Sequence, residues 1–123
     1  MSFLRKFASA SICLGLLFQS GAAHAGESIQ KVLSDHPGSA TALTGKQKSE
    51  IKYFVKQSKG RKNLVCTGLS LTGQRKSMYR VVRLRAELVC EYALSLDSSF
   101  TTTIEEKTTK TNNRNGRVLI ASR

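Results

Sequence analysis

The sequence predicts a small α/β sandwich (an α+β sandwich of βαβαββ order) with two helices packed on one face of a small mixed sheet. Three observations support this fold class: apolar residues change repeatedly between strand and helix spacing, no internal repeat is present, and 40% of the 123 residues are hydrophobic. That fraction is enough for a modest core and too high for a disordered polycation. The length allows one domain and excludes a large multidomain enzyme.

The N-terminal 25 residues are typical of a secretory signal peptide. A basic pair precedes the apolar stretch Ile12–Phe18, and Ala23 and Ala25 supply the small side chains of a cleavage site. We predict cleavage before Gly26, which leaves residues 26–123 as one secreted or cell-envelope domain. A membrane anchor is the alternative, but the apolar stretch is too short for a hydrocarbon core of about 30 Å. We therefore expect no transmembrane span in the mature chain.

Each element of the mature chain is predicted from its local pattern. Thr44 and Gln47 form a capping box that begins a helix with Ile51 and Phe54 on one face. Alternation of Thr and Ile with polar residues predicts a late strand. The predicted order is a short helix or irregular strand in Gly26–Asp35, a turn at His36–Ser39, the helix begun at Thr44 and ended by Ser58-Lys59-Gly60, a strand Asn63–Leu71, a turn at Thr72-Gly73, a long helix from about Arg75 to Leu96, a strand Phe100–Thr109, a polar loop Lys110–Gly116 and a final strand Arg117–Ala121.

Two cysteines remain after cleavage, Cys66 in the predicted central strand and Cys90 in the long helix. In an oxidising compartment a single pair has one connectivity. Free thiols, a redox role and metal ligation are the alternatives. A redox motif normally brings its cysteines close in sequence, and a metal needs more ligands than His36 could add. We therefore predict a structural disulfide with the two α-carbons within about 7 Å.

The long helix carries an arginine among its apolar positions. Arg85 lies about 20° from the centre of the apolar stripe on a helical wheel. A guanidinium in that position must be paired, reach the edge of the core, or meet an anion. Arg85 is therefore a candidate ligand-binding residue. The predicted stripe comprises Met78, Val82, Val89, Tyr92 and Leu96, whereas Lys76, Arg80, Arg83 and Glu87 form a row that faces water.

Several segments resemble an OmpA-like domain. Gly38–Thr44 and Leu64–Gly68 are similar to the opening of such a domain, and Arg85–Tyr92 resembles its arginine-alanine helix motif. Arg114–Val118 resembles the asparagine-arginine-arginine-valine motif before the family's last strand. The resemblance covers residues 34–120, which is nearly the whole mature chain. The two cysteines resemble those of a cysteine-bearing branch found in secreted proteins of Gram-positive bacteria.

The resemblance implies a cell-envelope domain that binds peptidoglycan non-covalently. In the family the arginine that matches Arg85 holds the carboxylate of a diaminopimelate side group, a task that suits a planar guanidinium. The family's aspartate, which receives the ligand's amino group, is matched here by Leu71, and its strand-end histidine is matched by Leu69. Gly116 replaces the first arginine of the terminal motif. With half of the family's clamp absent, we expect binding through Arg85 to be weak or absent.

No residues have the spacing of a catalytic site. His36 lies beside Pro37 in a turn and is expected at the surface. Glu105 and Glu106 are adjacent in a strand and point to opposite faces, so they cannot act together. Cys66 lacks a neighbouring base, and no nucleophile-elbow motif is present. We predict a protein that is not an enzyme and that has no metal centre or cofactor.

The positive charge suggests a second function. Loss of Arg5 and Lys6 changes the net charge from +12 to +10 (12 − 2). The alternative is therefore electrostatic attachment to an anionic cell-wall polymer or membrane surface. Nucleic acid is a weaker candidate because the most basic segment offers only Tyr53 and Phe54 for base stacking. The basic residues of that segment are Lys46, Lys48, Lys52, Lys56, Lys59, Arg61 and Lys62.

Overall fold

A computed structural model describes residues 28–73 and 76–123. The predicted signal peptide and Arg75 lie outside the described residues. The order of elements predicted from the sequence is confirmed, and the described part of Gly26–Asp35 contains a strand rather than a helix. The elements are β1 (Ile29–Val32), α1 (Gly45–Gln57), β2 (Asn63–Leu71), α2 (Lys76–Leu96), β3 (Thr101–Thr109), a 3-10 helix (Asn112–Arg114) and β4 (Val118–Ser122).

The described strands form one mixed sheet in the order β1-β4-β2-β3. β2 and β3 are parallel, whereas β4 is antiparallel to both β1 and β2. Two parallel neighbours require a crossover between them, and α2 provides it. β2 is a central strand, and all of its residues from Leu64 to Ser70 are buried. This arrangement confirms the predicted sandwich of two helices on a small mixed sheet.

The capping box predicted for α1 is present. The Thr44 hydroxyl accepts a hydrogen bond from the Gln47 backbone N–H (3.1 Å), and Gln47 Oε1 accepts one from the Thr44 backbone N–H (2.9 Å). Ile51 and Phe54 are buried as expected, and the helix is capped at its other end by Ser58. The capping box ties the start of α1 to the loop that follows β1, which is the loop that forms part of the candidate site.

The contact between α2 and β2 depends on a glycine. A Cβ at Gly68 would overlap the backbone carbonyl of Val82. The helix therefore lies directly against the backbone of the central strand, and a side chain larger than hydrogen at Gly68 would force the two apart. This close approach fixes the depth at which the following turn of α2, with Arg85, sits over the sheet.

The predicted disulfide is confirmed. Cys66 in β2 and Cys90 in α2 are bonded, with α-carbons 6.0 Å apart. Both residues are buried in the core. The bond therefore links the central strand to the helix that covers it.

The predicted apolar stripe of α2 is correct in its middle and wrong at its end. Val82 and Val89 are fully buried, whereas Leu96 is 41% exposed. The buried face is centred on small residues, Ala86 and Ala93, because a helix can approach a sheet closely where its side chains are short. Within the described residues, no helix is both long enough and apolar enough to cross a membrane.

Candidate functional site

A polar cavity of about 290 Å³ lies where three parts of the fold meet. Its walls come from the loop after β1, the first half of α2 and the loop before β4. The sequence placed Arg85 in a candidate site, and the structure adds five polar neighbours to it. The polar residues that line the cavity are Asp35, His36, Arg85, Asn112, Asn113 and Asn115.

Arg85 is 3% exposed and is held by three backbone carbonyls. Its Nε donates to the carbonyl of Ala40, Nη1 to that of Gly116 and Nη2 to that of Gly38, each at 2.8 Å. A guanidinium has five N–H donors, so these bonds leave two for a further acceptor. Burial lowers the pKa of Arg85 from its ordinary value, and the charge of Asp35 partly offsets this. We call this arrangement of Arg85 and the carbonyls of Gly38, Ala40 and Gly116 the carbonyl cage.

Gly116 makes room for the Arg85 guanidinium. It stands where the resemblance to OmpA-like domains would place an arginine, and its φ of +83° favours glycine. A Cβ at this position would lie 3.0 Å from Arg85 Nη1. The glycine therefore gives the guanidinium room and presents a carbonyl to it. Arg85 thus contacts the segment Arg114–Val118 through the Gly116 carbonyl, although no pattern in the sequence indicates this contact.

Asp35 provides the negative charge of the cavity. Its side chain is 70% exposed, and Oδ1 lies 3.1 Å from Arg117 Nε. Arg117 also donates to the carbonyls of Leu33 (2.9 Å) and Asn113 (3.1 Å), so it joins the two loops on either side of the cavity. Asp35 was not predicted as a site residue, because nothing in its local sequence separates it from an ordinary loop aspartate.

Leu71 and Leu69 do not line the cavity. Leu69 is buried in the sheet, and Leu71 lies at the end of β2. The backbone N–H of Leu71 donates to Asn115 Oδ1 at 2.8 Å, and Asn115 does line the cavity. Leu71, which the resemblance matches to the family's aspartate, is therefore next to this site and in contact with a residue of its wall.

His36 is buried rather than exposed, so its predicted surface position is wrong. It is 8% exposed, and Nδ1 lies 3.0 Å from Gln47 Nε2. Gln47 accepts from the Thr44 N–H through Oε1 and donates to the Ser34 carbonyl through Nε2 (2.6 Å), which fixes the orientation of its amide. Gln47 Nε2 is thus the donor and His36 Nδ1 the acceptor, which places the proton of the neutral ring on Nε2. That atom has no hydrogen-bond partner among the described residues.

The environment of His36 favours its neutral form. Burial lowers its pKa from 6.5, and the Arg85 charge lowers it further. The backbone of Thr41 and the Asp35 carboxylate act in the opposite direction without reversing the shift. Protonation at Nδ1 would set a donor against the Gln47 amide and a second cation beside Arg85. The turn that supplies two carbonyls of the cage is therefore stable with a neutral histidine.

We expect acid to destabilise the fold through His36. Since the folded-state pKa of His36 lies below 6.5, the unfolded state binds the proton more readily. The stability that depends on neutral His36 is therefore fully present above about pH 6.5 and is lost as the pH drops toward the folded-state pKa. Urea unfolding at about pH 7.5 and about pH 5 measures this change. His36→Gln should lose less stability between the two pH values than the parent does. An equal loss in both proteins would show that other groups carry the acid sensitivity.

The polar groups of the cavity can hold a small charged ligand. In the described part of the chain, no three His, Cys, Asp or Glu side chains are grouped as metal ligands. Glu105 and Glu106 make separate surface contacts, with Lys107 at 3.7 Å and Arg83 at 2.8 Å. The cavity instead offers a buried cation, an exposed carboxylate and side-chain amides, which together can hold a small polar group bearing both charges.

The fold is that of OmpA-like domains. The OmpA-like domain of FopA1 from Francisella tularensis is 22% identical and has a TM-score of 0.54, with 78% of this chain and 73% of that chain covered. An outer membrane protein of Borrelia burgdorferi is 15% identical, with coverage of 77% and 86% and a TM-score of 0.53. The C-terminal domain of Helicobacter pylori MotB is 13% identical, with coverage of 76% and 84% and a TM-score of 0.55.

These similarities concern the fold. No protein-family model matches the chain, and no curated protein matches it. The predicted OmpA-like architecture, with its disulfide between β2 and α2, is therefore confirmed by shape rather than by sequence identity.

Proposed function

We propose that the chain is a non-enzymatic cell-envelope module that binds an amino-acid group of peptidoglycan in the Arg85 cavity. The observation that carries the proposal is a buried arginine in the wall of a polar cavity, with two N–H donors left over from its carbonyl cage. A ligand carboxylate can accept both of these donors. The resemblance of Arg85–Tyr92 to the family's helix motif supports the same role.

Asp35 is our candidate for the ligand's amino group. A zwitterionic ligand needs a carboxylate near the arginine, and Leu71 offers none. Asp35 borders the same cavity and is close enough to Arg85 to influence its pKa. Asp35 is also paired with Arg117, so the ligand's amino group must share the Asp35 carboxylate with Arg117. We therefore predict weak binding.

Sedimentation with insoluble, diaminopimelate-containing cell wall tests this function. We expect the mature protein to be retained, and Asp35→Asn to weaken retention by about tenfold, which corresponds to one charge-assisted hydrogen bond. Asp97→Asn is the matched control, since it removes one negative charge at the end of α2, away from the cavity. Equal retention of Asp35→Asn and the parent would show that Asp35 does not contact the ligand. Absence of retention in the parent would reject the function.

A second candidate function is electrostatic attachment to an anionic polymer or membrane surface. It is favoured by the exposed lysines of α1 and by the charge of +10 predicted for the mature chain (12 − 2). Salt separates the two functions, because surface attachment falls steeply with salt and a buried carboxylate contact falls less. Nucleic acid stays the weaker partner.

The compartment follows from the signal peptide, which is part of this proposal. If the leader is removed before Gly26, mass spectrometry of secreted protein should find Gly26 at the N-terminus. Membership of the cysteine-bearing Gram-positive branch likewise stays a prediction from the two cysteines.

A further inference from the structure

The outer surface of α1 carries an unneutralised row of lysines. Lys48, Lys52 and Lys56 lie within about 40° of Lys52 on a helical wheel, and Lys59 follows in the turn after the helix. We call these four residues the lysine face. None of them makes an ion pair with a carboxylate of residues 28–73 or 76–123. The single acidic residue of α1, Glu50, is turned away and accepts hydrogen bonds from Ser34 N–H (2.9 Å) and Ser34 Oγ (2.8 Å). The helix therefore presents only positive charge to solvent.

Exposed apolar side chains flank the lysine face. Tyr53 is 62% exposed and Leu96 is 41% exposed. Among the described residues they are two of three large apolar side chains with such exposure, and the third, Leu84, lies on the far side of α2. A cleft of about 240 Å³ opens between Lys52, Lys56 and the apolar pair Val55 and Leu96. The cleft is therefore apolar at Val55 and Leu96 and is bordered by the two lysines.

This combination matches a lipid surface better than a soluble polyanion. A hydrated polymer would contact the lysines and leave Tyr53 and Leu96 in water. An anionic bilayer offers phosphates for the lysines and, about 5–10 Å deeper, an apolar boundary for the other two side chains. Tyrosine in particular favours the membrane interface.

We infer that the lysine face, with Tyr53 and Leu96, binds the surface of an anionic lipid bilayer. The inference rests on the second candidate function and names its partner; it does not depend on Arg85. None of the residues that line the Arg85 cavity belongs to α1. The two surfaces can therefore be occupied at the same time, which would hold the domain between membrane and wall.

The sequence contains no tryptophan, so the fluorescence of a single introduced tryptophan reports on its own surroundings. In Tyr53→Trp the new indole should shift to shorter emission wavelength with vesicles of phosphatidylglycerol and phosphatidylcholine, and brominated acyl chains should quench it. Vesicles of phosphatidylcholine alone and soluble polyphosphate should leave its emission unchanged. Leu84→Trp is the matched control and should report no change with any of the three probes.

Charge and apolar variants separate the contributions. Lys52→Gln with Lys56→Gln should weaken sedimentation with anionic vesicles by about thirtyfold. Lys76→Gln with Lys110→Gln removes the same charge elsewhere and should weaken it much less. Circular dichroism confirms that each variant is folded.

Tyr53→Ser with Leu96→Ser should lose vesicle binding and keep polyphosphate binding. If this variant binds vesicles as the parent does, or if the indole emission of Tyr53→Trp does not respond to them, the bilayer inference is wrong while electrostatic attachment stands. If the parent binds neither anionic vesicles nor polyphosphate, both are wrong.

Discussion

Removal of the Cys66–Cys90 disulfide is expected to lower the free energy of unfolding by about 3–4 kcal/mol. The two cysteines are 24 residues apart, and in the chain-entropy model the bond restricts the unfolded chain over that distance. A small domain has only about 5–15 kcal/mol of stability in total. The loss would therefore take a large part of it.

Urea unfolding of the parent and of Cys66→Ala with Cys90→Ala measures this effect. Both cysteines are buried, so part of the loss in the double variant comes from missing side-chain volume. The parent in reducing agent separates the two contributions, because it keeps the sulfur atoms. Reducing agent should not change the double variant. Coincident midpoints of the oxidised and reduced parent would show that the bond contributes nothing to stability.

The elements and the disulfide could be predicted because their causes are local or unambiguous. The Thr44–Gln47 capping box needs only residues three apart, and β2 is a continuous buried run. With two cysteines in the predicted mature chain, only one pairing exists. The wheel of α2 failed at Leu96 because it weighted large apolar residues, whereas Ala86 and Ala93 decide which face meets the sheet.

The site was predictable only in part, since its other members converge through tertiary structure. Arg85 stood out because a cation interrupted an apolar stripe. Asp35 and the carbonyls around Arg85 left no such mark, because main-chain acceptors are present at every residue. His36 was misplaced because a turn beside Pro37 is normally exposed. Its burial depends on the Gln47 amide, whose role as a buried partner lies outside the capping pattern.

Arg85→Ala is expected to cost both stability and ligand binding. The three carbonyls of the cage would lose a charged donor. In the parent, the bond to Gly116 is buried, and the bonds to Gly38 and Ala40 are part-buried. Each such bond contributes about 1.5–3 kcal/mol, but water can replace part of this loss at the two part-buried carbonyls. We therefore expect the free energy of unfolding to fall by about 3–5 kcal/mol. Arg83→Ala is the matched control: Arg83 is half-exposed, and its bonds to Glu87 and Glu106 lie at the surface, so a smaller loss is expected.

Arg85→Lys distinguishes a structural role from a binding role. Lysine keeps a positive charge but cannot reach three carbonyls and a carboxylate together, because its ammonium has three donors and no planar fork. We expect partial recovery of stability relative to Arg85→Ala without recovery of wall retention, when retention is measured at a temperature where both variants are folded. Retention equal to the parent would mean that the cavity needs only a charge. Arg85→Ala as stable as the parent would mean that the cage contributes nothing to the fold, because water then satisfies the carbonyls equally well.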